Sequence, residues 1–385
     1  MERIYLDNHA TTPIDPKVFT AMEPWLKDKF GNAASRNHFY GWEAEEAVEI
    51  ARENVAHIIG AVPKEIIFTS GATEANNIAL QGVANSYNKK GMHIITLKTE
   101  HKAVLDVCDF LEKEGFEISR LPVQKDGLVD IERFENSIRS DTIMVSVMHA
   151  NNEIGVIQSI ADIGNICKER NIIFHVDAAQ SVGKVPVDVN TMGIDLLSIS
   201  AHKLYGPKGV GAIYMRQKKP RVKLRPIMYG GGHERGMRSG TLAVPSIVGM
   251  GKACEISENV MAKECKKLTS LRDALMTMIQ DNIPKAIVNG SMEKRLQGNL
   301  NIRFPGSNNE AIIAAVPEIS ISSGAACTSS TMEASHVLLA LGLSKDDAYS
   351  SLRFGIGRFN TSEEIEIAAQ CIIRCMQKLK KMSFA

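Results

Sequence analysis

Chemically reactive side chains stand directly after three stretches that resemble buried β-strands. Asp177 ends the apolar run IIFHVD, Lys203 follows DLLSIS, and His101 comes shortly after HIITL. Taken singly, a lysine or a histidine at a strand end is more often an ordinary polar loop residue. A carboxylate at the tip of a buried strand, however, needs a partner, because an unpaired one is costly to bury. In parallel α/β sheets ligands bind at the carboxyl ends of the strands, so these three side chains are candidates for one site.

A possible phosphate-binding turn follows another predicted strand. EIIFTS is succeeded by Gly71-Ala72-Thr73-Glu74 at a predicted helix start, where free N–H groups, a hydroxyl and the helix dipole would hold a phosphate. Plain helix capping explains the same residues when they are considered alone. A rival motif, Gly206-x-x-Gly209-x-Gly211, lacks the dinucleotide-binding spacing and comes directly after the lysine. We interpret it as backbone flexibility around the site.

The combination of these groups indicates one cofactor. A phosphate cradle, a buried acid, a histidine and a lysine fall on four strand ends of one predicted sheet. Pyridoxal phosphate uses each of them: an amine that bonds to its aldehyde, an acid that keeps its ring nitrogen protonated, and a helix start for its phosphate. The pattern therefore predicts a pyridoxal phosphate enzyme.

The elements that must position these groups alternate along the chain. Predicted strands at 65–70, 93–97, 142–148, 172–177, 195–200 and 211–215 are interleaved with predicted helices near 74–88, 102–114, 131–139 and 160–170. This order predicts βαβ units in a mainly parallel sheet with helices on both faces.

A smaller α+β part is predicted in the C-terminal third. One long helical pattern covers 246–280, short strands follow at 299–304 and 351–357, and a last helix lies near 362–380. We expect a large cofactor-binding domain over 15–255. The smaller domain combines 1–14 with 256–385.

Composition restricts the class of protein. With 385 residues, 45 basic and 44 acidic side chains, the net charge of +1 gives no sign of a nucleic acid or membrane partner. Seven scattered cysteines without a Cys-x-x-Cys pair are typical of a reducing compartment rather than of a disulfide framework or a structural metal site. The start MERIYLDNHATTP has no apolar signal region, so we expect a cytoplasmic protein.

Six motifs in the expected order carry a family resemblance: YLDNHATTP, SGATEANN, TEHKAV, HVDAAQS, SAHKLYGPKGVG and SSGAACTSS. From about residue 3 to its end, the chain resembles the cysteine desulfurases of the class V aminotransferase superfamily, of the IscS/NifS type. The resemblance implies the fold type I architecture of pyridoxal-phosphate-dependent transferases.

The resemblance also implies roles for individual residues, position by position. Lys203 matches the lysine that bonds to the cofactor, and His101 the imidazole stacked on its ring. The other matches are Asp177 to the ring nitrogen, Gln180 to the phenolic oxygen, Ala72, Thr73, Ser200 and His202 to the phosphate, Thr241 to the phosphate across a homodimer interface, Asn152 to the cofactor, and Asn152 and Arg353 to the substrate carboxylate. A guanidinium suits that last task because it can grip a carboxylate with two parallel bonds. Arg358, which lies close to Arg353 in the sequence, is the less favoured candidate for holding the substrate carboxylate.

The implied reaction removes sulfur from L-cysteine, giving L-alanine and a persulfide on Cys327. The sulfur would pass to an iron–sulfur scaffold protein or another acceptor, including one for tRNA thiolation. We expect no resident metal, although Cys327 could transiently ligate a nascent cluster. Two alternatives stay open: a selenocysteine lyase-like activity, and a non-catalytic binding or scaffold component with this fold.

Cys327 lies in a small, polar stretch that we expect to be a mobile loop over about 322–332. The loop length assigns the chain to the group with the long SSG-x-AC loop, although Ala325 and Ala334 stand where the family often has Ser and Pro. The helix that follows is predicted to start with a capping box, Ser330-x-x-Glu333, and to end near Gly342. Val337, Leu338 and Leu341 are expected on its packed side.

Overall fold

The computed structural model describes residues 3–218, 220–323 and 334–382. Twelve strands are present in these ranges: β1 Ile4–Tyr5, β2 Ile66–Thr69, β3 His93–Leu97, β4 Glu117–Leu121, β5 Thr142–Met148, β6 Ile173–Asp177, β7 Leu196–Ser200, β8 Gly211–Met215, β9 Ile287–Val288, β10 Asn299–Arg303, β11 Ile319–Ser320 and β12 Ser351–Gly355. The same ranges contain eleven α-helices: α1 Pro16–Lys27, α2 Phe39–His57, α3 Ala72–Tyr87, α4 Lys102–Lys113, α5 Ile131–Asn136, α6 Ile160–Glu169, α7 Val244–Asn282, α8 Asn309–Ala315, α9 His336–Ala340, α10 Lys345–Tyr349 and α11 Ser362–Met382.

A seven-stranded sheet forms the centre of the larger part. Its order is β2-β8-β7-β6-β5-β3-β4, and every neighbouring pair is parallel except the two that involve β8. All seven residues of β5 and all five of β6 are buried, as expected for a sheet covered on both faces. The order of strand addition reverses between β3 and β5, which is where ligands bind in sheets of this kind. The prediction of a mainly parallel α/β sheet is confirmed.

Helices cover both faces of this sheet. One hydrophobic cluster joins side chains of α1, α2, α6 and the first half of α7 to one face, and a second cluster joins α3 and α4 to the other. Successive residues of a strand belong alternately to these two clusters. In β2, Ile66 and Phe68 belong to the first cluster and Ile67 to the second. This alternation is the period of two that a strand imposes.

A second core lies around a three-stranded antiparallel sheet in the order β12-β10-β9. Its hydrophobic cluster contains residues from the second half of α7, from α8 and α11, and also Ile4 and Leu6 at the start of the chain. The N-terminal strand β1 pairs in parallel with β11, which attaches the first residues to this part. With 39 residues, α7 is about 60 Å long and contributes to both cores. We propose the division into 15–255 on one side and 1–14 with 256–385 on the other.

Several elements of the structure were not predicted from the sequence. Besides the short α8, α10, β9 and β11, they include the edge strand β4 and the helices α1 and α2. Strand β4 is only half buried, and α2 packs through small side chains such as Ala44 and Ala51, which give a weak hydrophobic pattern.

No helix in the described part of the chain combines the length and hydrophobicity that crossing a membrane requires.

Candidate active site

A cleft of about 500 Å³ opens at the carboxyl ends of the parallel strands. That volume is in the range of a small-molecule site. Ten of the predicted site residues line it: Ala72, Thr73, His101, Asn152, Asp177, Gln180, Ser200, His202, Lys203 and Arg353. Residues that are more than 280 positions apart in the chain are therefore brought to one place, and the sheet topology does this.

Lys203 lies in a short 3₁₀ turn, Ala201–Lys203, that directly follows β7. Its Nζ donates to the carbonyl oxygens of His9 at 2.7 Å and Ala10 at 2.5 Å. The N-terminal segment thus holds the amine at the wall of the cleft through backbone acceptors. An amine held in this way is available to a carbonyl compound that enters the cleft.

Asp177 ends β6 and is 2% exposed. Oδ2 accepts from Asn76 Nδ2 at 2.8 Å, and Oδ1 accepts from the backbone N–H of Ala179 at 3.0 Å. No cationic side chain pairs with it in the part of the chain that the structure describes. A buried carboxylate that lacks a cation and lines a cleft fits the protonated ring nitrogen of pyridoxal phosphate.

The start of α3 fits the cofactor's phosphate. Gly71 precedes the helix with φ +148° and ψ 179°, a conformation that only glycine adopts easily, and the space where its Cβ would stand is open. Ala72 and Thr73 form the first turn, with Thr73 exposed towards the cleft opening. Backbone N–H groups and the helix dipole favour an anion at this point.

Two further phosphate candidates follow β7. The hydroxyl-bearing Ser200 is 3% exposed, and His202 contacts Thr11 Oγ1 through Nδ1 at 3.1 Å. Burial, with smaller effects from Lys203 and nearby lysines, lowers the pKa of His202 to about 4. His202 is therefore neutral at physiological pH and offers a hydrogen bond rather than a charge.

His101 caps the N-terminus of α4. Its Nδ1 accepts from the backbone N–H of Ala103 at 3.0 Å, so the neutral ring carries its hydrogen on Nε2. The preceding residue, Glu100, is completely buried, and burial raises its pKa well above the usual range. Burial therefore favours the uncharged form of the Glu100 carboxyl group.

Arg353 lies in the middle of β12 and is 2% exposed. Nη2 pairs with Asp7 Oδ1 at 2.6 Å, and Nη1 donates to the carbonyl oxygen of Asn152 at 3.0 Å. Its Nε has no acceptor among the described residues. The guanidinium is therefore fixed at the cleft with donor capacity left for an incoming carboxylate.

Arg358 has a different environment. It pairs with Asp15 at 2.8 Å and with Glu264, and its guanidinium lies 4.2 Å from the centre of the Tyr205 ring. These contacts join the N-terminal segment, α7 and the turn after β12. Arg358 does not line the cleft, which agrees with its lower rank as a substrate ligand.

Cys327 lies outside the described residues, as do Ser330 and Glu333. The predicted start of the following helix is wrong: α9 begins at His336, with Ser335 as its N-cap accepting from the N–H of Leu338. Ser335 takes this place because its hydroxyl also donates to Glu153 Oε2 at 2.5 Å. The packed side of the helix was predicted correctly, since Val337, Leu338 and Leu341 are buried.

Thr241 is exposed to solvent. It does not line the cleft formed by the described residues of the same chain. It follows a glycine-rich segment in which Glu234 has φ +46° and Arg235 has φ +57°. A buried pair between Arg52 and Glu234, with both contacts at 2.8 Å, holds this segment against the larger core.

Sequence reasoning assigned no role to several polar residues of the cleft, among them His9, Asn76, Glu153 and His336. Asn76 follows Thr73 by three positions on a predicted helix and so shares its face, which could have been noticed. Glu153 lies in the turn after a predicted strand, 142–148. His336 donates to the carbonyl oxygen of Glu100 at 2.9 Å, a contact between distant segments that no local pattern indicates.

Comparison with known proteins agrees with this geometry. The family model for class-V aminotransferases matches residues 4–367. The cysteine desulfurase IscS of Anaeromyxobacter dehalogenans (strain 2CP-C) is 53% identical over 380 residues, covering 99% of this chain and 94% of that protein. A solved NifS-like protein superposes with a TM-score of 0.91 at 37% identity, covering 97% of this chain and 99% of that one. The structure of SspA in complex with cysteine superposes with a TM-score of 0.81 at 37% identity, covering 93% of this chain and 100% of that one.

The similarity extends over nearly the whole length of the chain and of its relatives, so it includes both cores and every segment that lines the cleft. The chain belongs to the class-V aminotransferase family and, within it, to the cysteine desulfurases of the IscS type, enzymes that depend on pyridoxal phosphate and act on L-cysteine.

Proposed function

We propose that this cysteine desulfurase works through a division of roles among the cleft residues. With pyridoxal phosphate bound, Lys203 would bond to it, Asp177 would pair with the ring nitrogen, and Gln180 would donate to the phenolic oxygen. Ala72, Thr73, Ser200 and His202 would hold the phosphate, and His101 would lie against the ring. The observation that carries the assignment is the buried carboxylate of Asp177, which pairs with no cation among the described residues, in the same cleft as the amine of Lys203 and the N-terminus of α3.

When bound, pyridoxal phosphate supplies an electron sink next to the substrate's Cα. Arg353 holds the substrate carboxylate, with Asn152 beside it. Support comes from the unsatisfied Nε of the buried guanidinium and from its fixation by Asp7. Lys203 or His101 then takes the Cα proton, and both line the cleft.

The sulfur transfer step requires a nucleophile, and we assign it to Cys327. Its thiolate attacks the substrate sulfur, so that an S–S bond forms while the substrate's C–S bond breaks. The electron pair of the C–S bond stays with the carbon skeleton, which takes one proton at Cβ, regains the proton removed from Cα and leaves as L-alanine. The products balance as L-alanine and a persulfide on Cys327. Support comes from the sequence match, and from Ser335 and His336, which line the cleft a few residues further along the chain.

Replacement of the thiol tests this step. Cys327→Ser is expected to abolish alanine formation from L-cysteine while the protein still binds pyridoxal phosphate. Persistent alanine and sulfide production by Cys327→Ser would refute the assignment. Assay of the same variant with L-selenocysteine distinguishes the desulfurase mechanism from the selenocysteine lyase-like alternative. A lyase that needs no thiol nucleophile would keep its activity on L-selenocysteine in Cys327→Ser.

We further propose a homodimer in which Thr241 reaches the phosphate of the partner's cofactor. The exposure of Thr241 away from its own cleft supports this, as do large exposed aromatic side chains on one segment. Phe30 is 74% exposed and stacks on Tyr40 at 5.3 Å, and Trp42 is 54% exposed. Analytical ultracentrifugation should give twice the chain mass. Mixing Lys203→Ala with Thr241→Val chains should then restore one intact site per mixed dimer, and absence of any recovery would contradict the shared site.

The sulfur acceptor is proposed to be an iron–sulfur scaffold protein, with tRNA thiolation as a second destination. The relatives' naming as IscS supports the first. Incubation with ³⁵S-labelled L-cysteine and candidate acceptors should place label on a scaffold protein. Release of sulfide alone would remove the donor role.

A cytoplasmic location is supported by the six described cysteines, all of which are free thiols.

A further inference from the structure

The side chain of Gln180 is held from behind by two donors. Gln180 is 3% exposed and lines the cleft. Its Oε1 accepts from Lys184 Nζ at 2.9 Å and lies 3.2 Å from His9 Nδ1. Its Nε2 donates to the carbonyl oxygen of His9 at 2.8 Å. None of these contacts to His9 or Lys184 was expected from the sequence.

These contacts determine which way the amide faces. A carbonyl oxygen can only accept, so the His9 ring must carry its hydrogen on Nδ1. Burial keeps this ring neutral by lowering its pKa well below the usual range. With Oε1 occupied by two donors, the NH₂ group has a fixed position. One of its hydrogens goes to the His9 carbonyl, and the second has no acceptor in the described part of the chain.

Lys184 provides the second donor from four positions further along the chain, in the same turn region after β6. Its amine faces the cations Lys203 and Arg353, the carboxylate Glu264 and the neutral ring of His9. Burial, followed by the charges of Lys203 and Arg353, lowers the pKa of Lys184 to about 7. The amine keeps at least two N–H donors in either protonation state, so its bond to Gln180 persists on both sides of neutral pH.

We propose that Lys184 and His9 are positioning residues that hold the Gln180 amide with an N–H directed at the bound cofactor. The proposal rests on the assignment of Gln180 to the phenolic oxygen of pyridoxal phosphate. An anionic oxygen needs a donor, and an amide that could turn over would present its carbonyl oxygen instead. The Lys184 amine excludes that orientation because it needs Oε1 as its acceptor, and the His9 carbonyl oxygen excludes it because it needs the NH₂ group as its donor.

The geometry also accounts for the use of two donors. A single donor would leave the amide free to rotate about its last torsion, which has a broad energy profile. Two donors from different segments, the N-terminal stretch and the region after β6, fix the plane of the Gln180 amide group. Lys203 donates to the same His9 carbonyl, so the catalytic lysine and Gln180 share one support.

A double-mutant cycle tests the proposal. The variants are Lys184→Met, Gln180→Leu and the double variant, and the measured quantity is the dissociation constant of pyridoxal phosphate from apoenzyme. Loss of one hydrogen bond is expected to weaken binding about tenfold in each single variant. If Lys184 acts through Gln180, the double variant should bind no more weakly than Gln180→Leu alone. Independent effects that multiply to about a hundredfold would overturn the proposal.

Controls separate the possible failures. Unchanged cofactor binding in Gln180→Leu would refute the assignment of Gln180 itself, whereas multiplying effects refute only the positioning role. Lys184→Arg retains a donor and should recover binding, and the exposed Lys263→Met on α7 should match the wild type. His9→Ala in the same cycle with Gln180→Leu gives a second measure, should Lys184→Met fail to fold. The pH dependence of the cofactor's visible absorbance should shift in Lys184→Met but not in Lys263→Met.

Discussion

Replacement of Arg353 by lysine tests the binding of the substrate carboxylate. The lysine keeps the positive charge opposite Asp7, which lies 2.6 Å from the guanidinium, and so keeps the ion pair that stabilises the buried side chain. It loses the planar fork that can give a carboxylate two parallel bonds. One lost bond to a charged group is worth about 2 kcal/mol, which corresponds to about a 30-fold decrease in kcat/KM for L-cysteine.

Inhibition by two ligands isolates the carboxylate. L-Alanine carries the group, and 2-aminopropan-1-ol has a hydroxymethyl group in its place. The wild type should prefer L-alanine, and Arg353→Lys should reduce that preference about 30-fold, the same factor as for the substrate. Equal loss of affinity for both ligands would refute the reasoning, because the effect would then not pass through the carboxylate.

Arg358→Lys is the matched control. Arg358 is likewise an arginine that pairs with carboxylates, at 10% exposure of its side chain against 2% for Arg353, but it lies outside the cleft. Its replacement should lower the melting temperature without changing KM. A change in KM of the same size in both variants would show that general destabilisation, and not the fork, is being measured.

Three further predictions follow from other contacts. Asp177→Asn should lower kcat about a hundredfold, through the loss of about 2–3 kcal/mol of charge-assisted bonding to the ring nitrogen, and unchanged alanine production would contradict the assignment. His175 is buried between the hydroxyls of Ser146 and Ser198, and burial lowers its pKa to about 3. Between about pH 6.5 and 3 the unfolded chain binds a proton there and the native chain does not, so stability falls as pH falls, by about 2 kcal/mol at pH 5. In urea unfolding, His175→Asn should reduce the difference in stability between pH 7.5 and pH 5 by that amount, and an unchanged difference would refute it. Ser335→Ala should cost about 2–3 kcal/mol of unfolding free energy, because it removes a helix cap and the donor to a buried carboxylate; urea midpoints equal to wild type would exclude this.

Most of the cleft could be predicted from the sequence because its residues stand next to strongly patterned strands. The apolar run before Asp177 identifies a buried strand, and a carboxylate at its end requires a partner. The same reasoning holds for Lys203 after β7. Once the strands are parallel, their carboxyl ends meet at one edge, and local patterns are then sufficient to bring the groups together.

The contacts that were missed connect segments far apart in the chain. His9 lies 171 positions from Gln180, and Ser335 lies 182 positions from Glu153. A sequence pattern reports neighbours along one element, and neither pair shares an element. The wrong start of α9 has the same origin: Ser330 and Glu333 have the spacing of a capping box, but Ser335 is fixed as the cap by its tertiary bond to Glu153.

The ion pair between Asp7 and Arg353 has a consequence for biosynthesis. The two residues are 346 positions apart, and the pairing of β1 with β11 likewise joins the first residues to the last third of the chain. Asp7 is synthesised 346 residues before Arg353, so its partner does not exist until that stretch has been made. Contacts of such long sequence separation form late and slowly. We therefore expect the nascent enzyme to bind cofactor only after β12 has been synthesised, and a chain stalled before β12 to remain a substrate for chaperones.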